Sequence, residues 1–299
     1  MLDQLIVGTF EQCFKKYFYD ELVIGKLAHS EFKTGVQKGD EVDVIMPGTV
    51  AMFDYDGGDL PDAEVVTNSS TKVRIDNGLA FHFELQEIQR KQIENAKDAG
   101  QKVNLVKEYS MDAVKQFAAS VDKAYADLYA RAGHYYENED GSALELSESN
   151  VKDLLAYMQA KFKRGDNAGH TNWIDGQMIA IVPPEFQFFL GKVEDYRYVE
   201  SGHKKIEKGF VGKLCGWDIM ISNNVKGVNA EGKTTYFPLF GIKGKTLAGG
   251  VSSDLNTTPY KPEKNFNTRY KGYGLYGVGA PRADFLGSAK VSATMTIGK

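Results

Sequence analysis

The one formal nucleotide-binding signature in the chain is Gly272-Tyr273-Gly274-Leu275-Tyr276-Gly277, which spells GxGxxG. In a dinucleotide site such a loop joins a strand to a helix and its backbone closes on a pyrophosphate. An acid about 20 residues further on then holds the ribose. Here Pro281 follows four residues after the last glycine, and only 22 residues remain beyond Gly277. A helix and a second parallel strand do not fit that length, so a Gly/Tyr-rich strand with small side chains is expected.

The other candidates are weaker. His29, His82, His134, His170 and His203 include no pair at helical ligand spacing, and no HExxH occurs. His170 stands in the polar run Gly169-His170-Thr171-Asn172-Trp173, where an imidazole could serve as a base, but no nucleophile motif accompanies it. Ser252 and Ser253 lie outside any GxSxG elbow. Glu137-Asn138-Glu139-Asp140-Gly141 offers oxygen ligands with Glu148 at the twelfth position. It lacks the glycine that a calcium loop places sixth, so it reads as a solvated turn. Cys13 and Cys215 are 202 positions apart. They are too few for a disulfide scaffold and too distant for a compact metal motif, and read as thiols of a reducing compartment. No catalytic, cofactor-binding or metal-ligating residue is assigned, and no cofactor is expected.

Stepping from chemistry to scaffold, 299 residues suffice for one large domain or two smaller ones. Thirty-one glycines, 17 Phe and 16 Tyr suit a β-rich structure with many corners. A net charge of −4 and scattered basic pairs (Lys15-Lys16, Arg90-Lys91, Lys204-Lys205) argue against a protein devoted to gripping nucleic acid. No apolar run of 18 residues occurs, so no membrane span is expected. The start, MLDQLIVGTF, lacks the basic and small-residue features of a signal peptide.

Along the chain, Leu5, Phe10, Phe14, Phe18 and Leu22 recur at four- and five-residue steps, one face of a helix. Tyr17-Phe18-Tyr19 needs a surface to cover it, on its own domain or on another copy. Val42, Val44 and Met46 within Lys38 to Pro47, and the run Thr71 to Asp76, alternate with the period of a strand and suggest a long hairpin projecting from the body. A lone two-stranded ribbon is marginal in water, so something outside it should support it. An edge hairpin folded back on its own domain fits the pattern equally well. Val114, Phe117, Ala118, Val121, Tyr125 and Leu128 predict a helix over 110–132, with Ser110 as N-cap and Gly133 as stop. A second helix is expected after Ser147, with Val151, Leu154, Leu155, Met158 and Phe162 inside and Gly165 at its end. Residues 177–182 read as a buried strand, and Pro183-Pro184 opens a short helix to Leu190. The block from Glu207 to Val225 reads as strand, tight glycine corner, strand and Asn turn. A Gly/Ser/Thr-rich stretch runs to Pro259, and residues 285–294 read as one final strand. Strands and helices mix without βα regularity, which is the α+β class.

This order of parts resembles the major capsid proteins of tailed bacteriophages, with the Hong Kong 97-type coat fold. The resemblance covers nearly the whole chain; its sharpest matches are 38–46, 71–76, 177–190 and 207–224. It implies an N-terminal arm at 1–34 and an extended β-hairpin loop at 35–84 reaching a neighbouring subunit. A peripheral domain takes 85–146 and 263–299 with a spine helix at 110–132, and an axial domain takes 147–262. The implied function is a major capsid protein whose hexamers and pentamers form the icosahedral head around double-stranded DNA. The implied partners are the protein itself, a separate scaffolding protein, a portal and decoration proteins, with DNA enclosed and not read, and no membrane. Its implied place is the virion, assembled in the bacterial host cytoplasm. Some family members crosslink a loop lysine to a neighbour's asparagine. Lys72 lies in the loop, but no position matches, and that chemistry is not carried over. The rival readings are a phage tail-tube subunit and, from another class, a nucleotide-binding enzyme using Gly272–Gly277.

Overall fold

The leader folds as a helix, α1 (Leu2–Glu21), and its aromatic face is covered by the chain's own longest helix, α2 (Leu105–Ala126). In this computed structural model the described residues are 2–33, 38–46, 69–86, 105–164, 176–193, 197–198, 209–230, 233–252, 256–263 and 267–294. Cys13, Phe14 and Phe18 of α1, with Leu22 just beyond its end, share one core with Val114, Phe117, Ala118, Val121 and Tyr125 of α2. The Phe14 and Phe18 rings stack at 4.9 Å, and each meets Phe117, at 5.5 and 5.6 Å. Such aromatic pairs add about 0.5–1.5 kcal/mol each beyond the area they bury. The sticky cluster thus finds its partner within the same subunit, although Tyr19 stays 37% exposed.

Helix α2 corrects the expected 110–132 boundary. It starts at Leu105, and a 3-10 turn over Asp127–Arg131 continues it. Ser110 is not a cap; it is buried inside the helix. One serine in a helix interior costs only a few tenths of a kcal/mol, up to about 0.7, so it need not mark an end. Gly133 is no left-handed stop either. Its amide donates to the Ala283 carbonyl at 2.8 Å, and an added Cβ would sit 2.5 Å from that oxygen. Glycine there permits close approach of two backbones.

Helix α3 (Glu148–Arg164) buries Val151, Leu154, Leu155, Met158 and Phe162, the five residues its spacing picks out. Its start is held reciprocally: the Asn150 amide donates to Ser147 Oγ at 3.3 Å, and the Ser147 amide to Asn150 Oδ1 at 2.7 Å. Helix α4 (Pro184–Leu190) follows Pro183 as expected.

Among the described residues the strands form four sheets. The five-stranded sheet runs β1 (Ala28–Lys33), β14 (Leu247–Ser252), β16 (Thr268–Gly279) and β15 (Asn256–Tyr260), with β4 (Asn77–Leu85) along the other edge of β16. The seven-stranded sheet runs β5 (His134–Tyr136), β17 (Gly287–Ala289), β13 (Leu239–Ile242), β7 (Met178–Val182), β10 (Trp217–Ile221), β9 (Phe210–Leu214) and β8 (Arg197–Tyr198). A four-stranded sheet runs β11 (Lys226–Ala230), β12 (Lys233–Phe237), β18 (Val291–Ser292) and β6 (Leu144–Glu145). The two-stranded sheet pairs β2 (Glu41–Met46) with β3 (Ser69–Arg74). One core packs α1 and α2 against the five-stranded sheet and against Ile179, Ile181, Met220 and Leu239 of the seven-stranded sheet, and a second packs α3 and α4 on that seven-stranded sheet. Helices and strands mix without βα repetition, the α+β class expected.

The expected single strand at 285–294 is instead two. Phe285 ends a 3-10 turn, β17 joins the seven-stranded sheet and β18 the four-stranded one. The break falls at Lys290, whose amide donates to the Tyr136 carbonyl at 2.8 Å and whose Nζ donates to the Gly141 carbonyl at 2.6 Å. One residue turned aside to satisfy a neighbouring loop lets the chain change sheets.

Candidate functional site

The GxGxxG segment forms no loop. All six residues lie inside β16, with Gly272 opposite Phe81 of β4 on one edge and opposite Thr257 of β15 on the other. Gly277 is likewise paired with Gly250 of β14. A Cβ on Gly272 would collide with the Phe81 ring. Backbone amides already committed to two sheet ladders cannot cradle a phosphate, so the nucleotide reading has no geometry to stand on.

The histidines are not brought together. His29 lies on β1, His82 on β4 and His134 on β5 of another sheet; His170 and His203 lie outside the described residues. Among the described residues, no group of three His, Cys, Asp or Glu side chains is placed to hold a metal ion. Asp140, in the acidic turn, accepts from the Ser142 amide at 2.9 Å, which makes a local turn. Cys13 and Cys215 are not joined by a disulfide. Among the described residues, no helix is long and apolar enough to cross a membrane.

His134 lines a small cleft with Gly133, Tyr135, Tyr157, Met158 and Lys161. Burial pulls its imidazole below the ordinary 6.5, nearby Lys161 adds to this, and Asp284 opposes it. A depressed histidine means that the unfolded chain takes the proton first. Stability present above 6.5 is therefore lost as pH falls through that value toward the folded one. His134→Gln should flatten this limb: thermal scans from neutral pH downward should show the wild type losing more stability than the variant.

The block at 207–225 is a hairpin of β9 and β10 closed by two residues, Cys215 and Gly216. Their φ angles are +48° and +75°, which is the twist that two-residue hairpins favour. The corner places Trp217 opposite Leu214 and fully inside. Trp217 Nε1 donates to the Leu155 carbonyl at 2.9 Å, and its ring meets Phe162 at 5.3 Å and Phe240 at 5.4 Å. Trp217→Ala should cost about 3–5 kcal/mol, read as a lowered denaturant midpoint.

What remains as a candidate site is a surface. Among the described residues, strands β2 and β3 pair with each other and with no other strand, Glu41 with Arg74 through Met46 with Ser69. The expected pairing is present; residues 47–68 lie outside the described residues. At the base Val42, Val73 and Ile75 are buried, while Lys72 and Glu41 form an exposed ion pair at 2.8 Å. The hairpin's base is seated on its own domain, and among the described residues it joins no larger sheet.

One polar residue of this region escaped the sequence reading. Asp122, on the apolar side of α2, is 1% exposed. Its carboxylate accepts the amides of Val23 at 2.9 Å and Gly25 at 3.0 Å, where α1 ends. Ile24 and Asn224 contribute further hydrogen bonds. Burial pushes the carboxyl above the usual carboxylate range, and these four partners pull against it. The signal was available: an Asp one residue from Val121 and three from Tyr125 in an otherwise apolar stripe calls for buried donors.

No family model matches the sequence, and no curated protein matches it either. Solved structures do. The chain is similar to one in the structure of Mycobacterium phage Che8, at 17% identity over 90% of each chain and a TM-score of 0.57. It is similar to the capsid of Cyanophage P-SCSP1u at 13% identity, over 92% of this chain and 89% of that one, with a TM-score of 0.59. The capsid of Ralstonia phage GP4 matches at 14% identity over 95% and 92%, with a TM-score of 0.59. At such identities the likeness is one of fold, and it runs nearly end to end on both sides.

Proposed function

We propose that this chain, whose fold is that of the Hong Kong 97-type capsid subunits, is the major capsid protein of a tailed double-stranded DNA bacteriophage. Its work is to assemble into hexamers and pentamers that close an icosahedral head. The observation that carries the reading is the near-complete mutual coverage with phage capsid chains, 95% and 92% in the Ralstonia phage GP4 case. A partial match would leave room for another module; this one leaves almost none. The ribbon of β2 and β3 supports it, since a two-stranded sheet projecting from a body gains stability by lying on a neighbouring copy. Head-to-tail contacts of that kind close into rings.

On this reading the chain divides into an arm at 1–34, the loop at 35–84, a peripheral domain at 85–146 and 263–299, and an axial domain at 147–262. The two cores support such a division, with one qualification. Leu247 and Val251 belong to the α1–α2 core, and Ala289 and Val291 to the α3–α4 core. The two domains therefore exchange strands and are not separable units. The shell encloses DNA without reading it, consistent with a net charge of −4. A scaffolding protein, a portal and decoration proteins are the expected partners, with assembly in the host cytoplasm and the virion as destination. The role is structural, without catalysis.

The test is direct. Purified protein, alone or expressed with its scaffold, should give closed particles or capsomer rings in electron micrographs. A strict monomer under all conditions overturns the reading, and open-ended tubes would point to a tail component.

A further inference from the structure

The ribbon of β2 and β3 is attached to the body in an unusual way. No backbone ladder joins it to the five-stranded sheet; β3 simply runs on through Ile75 and Asp76 into β4. Its base is closed by two hydrogen bonds of its own, Gly39 amide to Ile75 carbonyl and Ile75 amide to Asp40 carbonyl, both 2.9 Å. The rest of the attachment is packing, and it falls on glycines. Gly250 of β14 and Gly277 of β16 are direct cross-strand partners, and Gly279 lies two residues on. Strand periodicity puts the three on one face.

That face is a socket, and the ribbon fills it. A Cβ on Gly250 would lie 3.0 Å from Val42 Cγ2 and 3.2 Å from Ile75 Cδ1. One on Gly279 would lie 2.9 Å from Val73 Cγ2. One on Gly277 would strike the Arg74 carbonyl oxygen, with the Ile75 Cα at 3.0 Å. The neighbouring Gly249 faces the opposite way and leaves room there for the Tyr125 ring of α2. The sheet is thus thinned on both sides, for the helix on one and the ribbon on the other.

We infer that Gly250, Gly277 and Gly279 form a socket that sets the angle at which the hairpin leaves its subunit, and through it the geometry of the shell. The inference rests on the capsid reading for its last step. Six paired residues at about 3.3 Å each reach about 20 Å from the base, so a tilt of about 10° moves the far end by about 3–4 Å. Preformed interfaces shift by less than about 1 Å on binding, so a displacement of that size places the ribbon off its neighbour. A van der Waals seat without a ladder is also the attachment that changes angle most readily. The glycines therefore act as positioning residues, packed within the subunit against the ribbon's base.

The test uses Gly277→Ala, Gly279→Ala and the double variant Gly279→Ala/Val73→Ala in the full chain. In unassembled subunits, hydrogen exchange at the Gly39 and Ile75 amides should quicken in both single variants. Trimming Val73 should restore it for Gly279→Ala, whose clash is with that side chain. Closed particles should fall roughly tenfold or more, or change diameter, since about 1.4 kcal/mol lost per contact is a factor of ten. The double variant should recover wild-type particles. Unchanged exchange, or altered exchange with particles of wild-type number and diameter, overturns the inference. Should Gly277→Ala fail to fold by circular dichroism, the Gly279 pair decides. If the wild type itself forms no shells, the capsid reading is what fails, and exchange alone judges the socket.

Discussion

Replacing residues 45–72 by Asn-Gly should leave a folded subunit that no longer assembles. Three observations support the first half. Among the described residues, the buried ones of the hairpin, Val42, Val73 and Ile75, lie outside the excised segment. The base hydrogen bonds at Gly39, Asp40 and Ile75 are also kept. Asp43, Val44 and the new pair give a four-residue connection between Val42 and Val73, which are already cross-strand partners. The melting temperature should stay within about 4 °C of wild type, the shift that about 1–2 kcal/mol produces in a chain of this size. The second half rests on the proposed capsid role, in which the ribbon lies on a neighbouring copy; among the described residues it joins no larger sheet. Size-exclusion chromatography and electron microscopy should show soluble subunits and no closed particles. Loss of folding would mean that the excised segment is part of the core, and normal shells would mean that it bridges nothing.

How far the fold could be read beforehand varied with what each residue had to satisfy. Helix α3 was legible because its apolar spacing and its Ser147 cap answer to local physics; the stop expected at Gly165 lies outside the described residues. The Pro183-Pro184 start of α4 and the Cys215-Gly216 corner were legible for the same reason: each is a backbone requirement written in one or two residues. Helix α2 was placed correctly but begun late, because Ser110 has a cap's chemistry and yet sits buried in mid-helix.

The Gly/Ser/Thr-rich stretch running to Pro259 suggested no element from its sequence, and it carries β14 and part of β15. Glycines usually weaken a strand. At Gly249 and Gly250 they are required by Tyr125 on one face and by Val42 and Ile75 on the other. Neither demand is visible locally, since the partners lie more than a hundred residues away. The same reason reconciles the GxGxxG segment with a strand: its spacing matches a phosphate loop, but Gly272 answers to Phe81 and Gly277 to the backbone at Arg74. Assembly contacts were the least legible part. A surface made for another copy has no motif, only an element order and a ribbon that its own sheets do not need.

Asp122→Ala should be the most damaging single change at a polar position, lowering stability by about 3–5 kcal/mol. Removing the carboxylate leaves the Val23 and Gly25 amides, with the Ile24 and Asn224 donors, facing a cavity in the core. Each buried donor left without an acceptor costs about 1–3 kcal/mol, and water reaching the site recovers part of that. The damage should spread along the chain, because these donors mark where α1 ends and where the turn after β10 meets α2. Hydrogen exchange should rise across residues 13–27 before it rises in α3, whose core is separate. Asp122→Asn keeps one acceptor oxygen and should cost less than alanine. The two substitutions also separate charge from hydrogen bonding. Burial raises the Asp122 carboxyl above 3.8 in the folded state, so the folded chain binds its proton more tightly than the unfolded one. Its contribution is therefore complete below 3.8 and is lost as pH rises through the folded value. Unfolding free energies of wild type and Asp122→Asn should converge or diverge along that limb alone, with the wild type gaining on acidification what the amide cannot. A difference profile flat with pH would show that the four hydrogen bonds offset the burial and leave the folded carboxyl titrating where the unfolded one does.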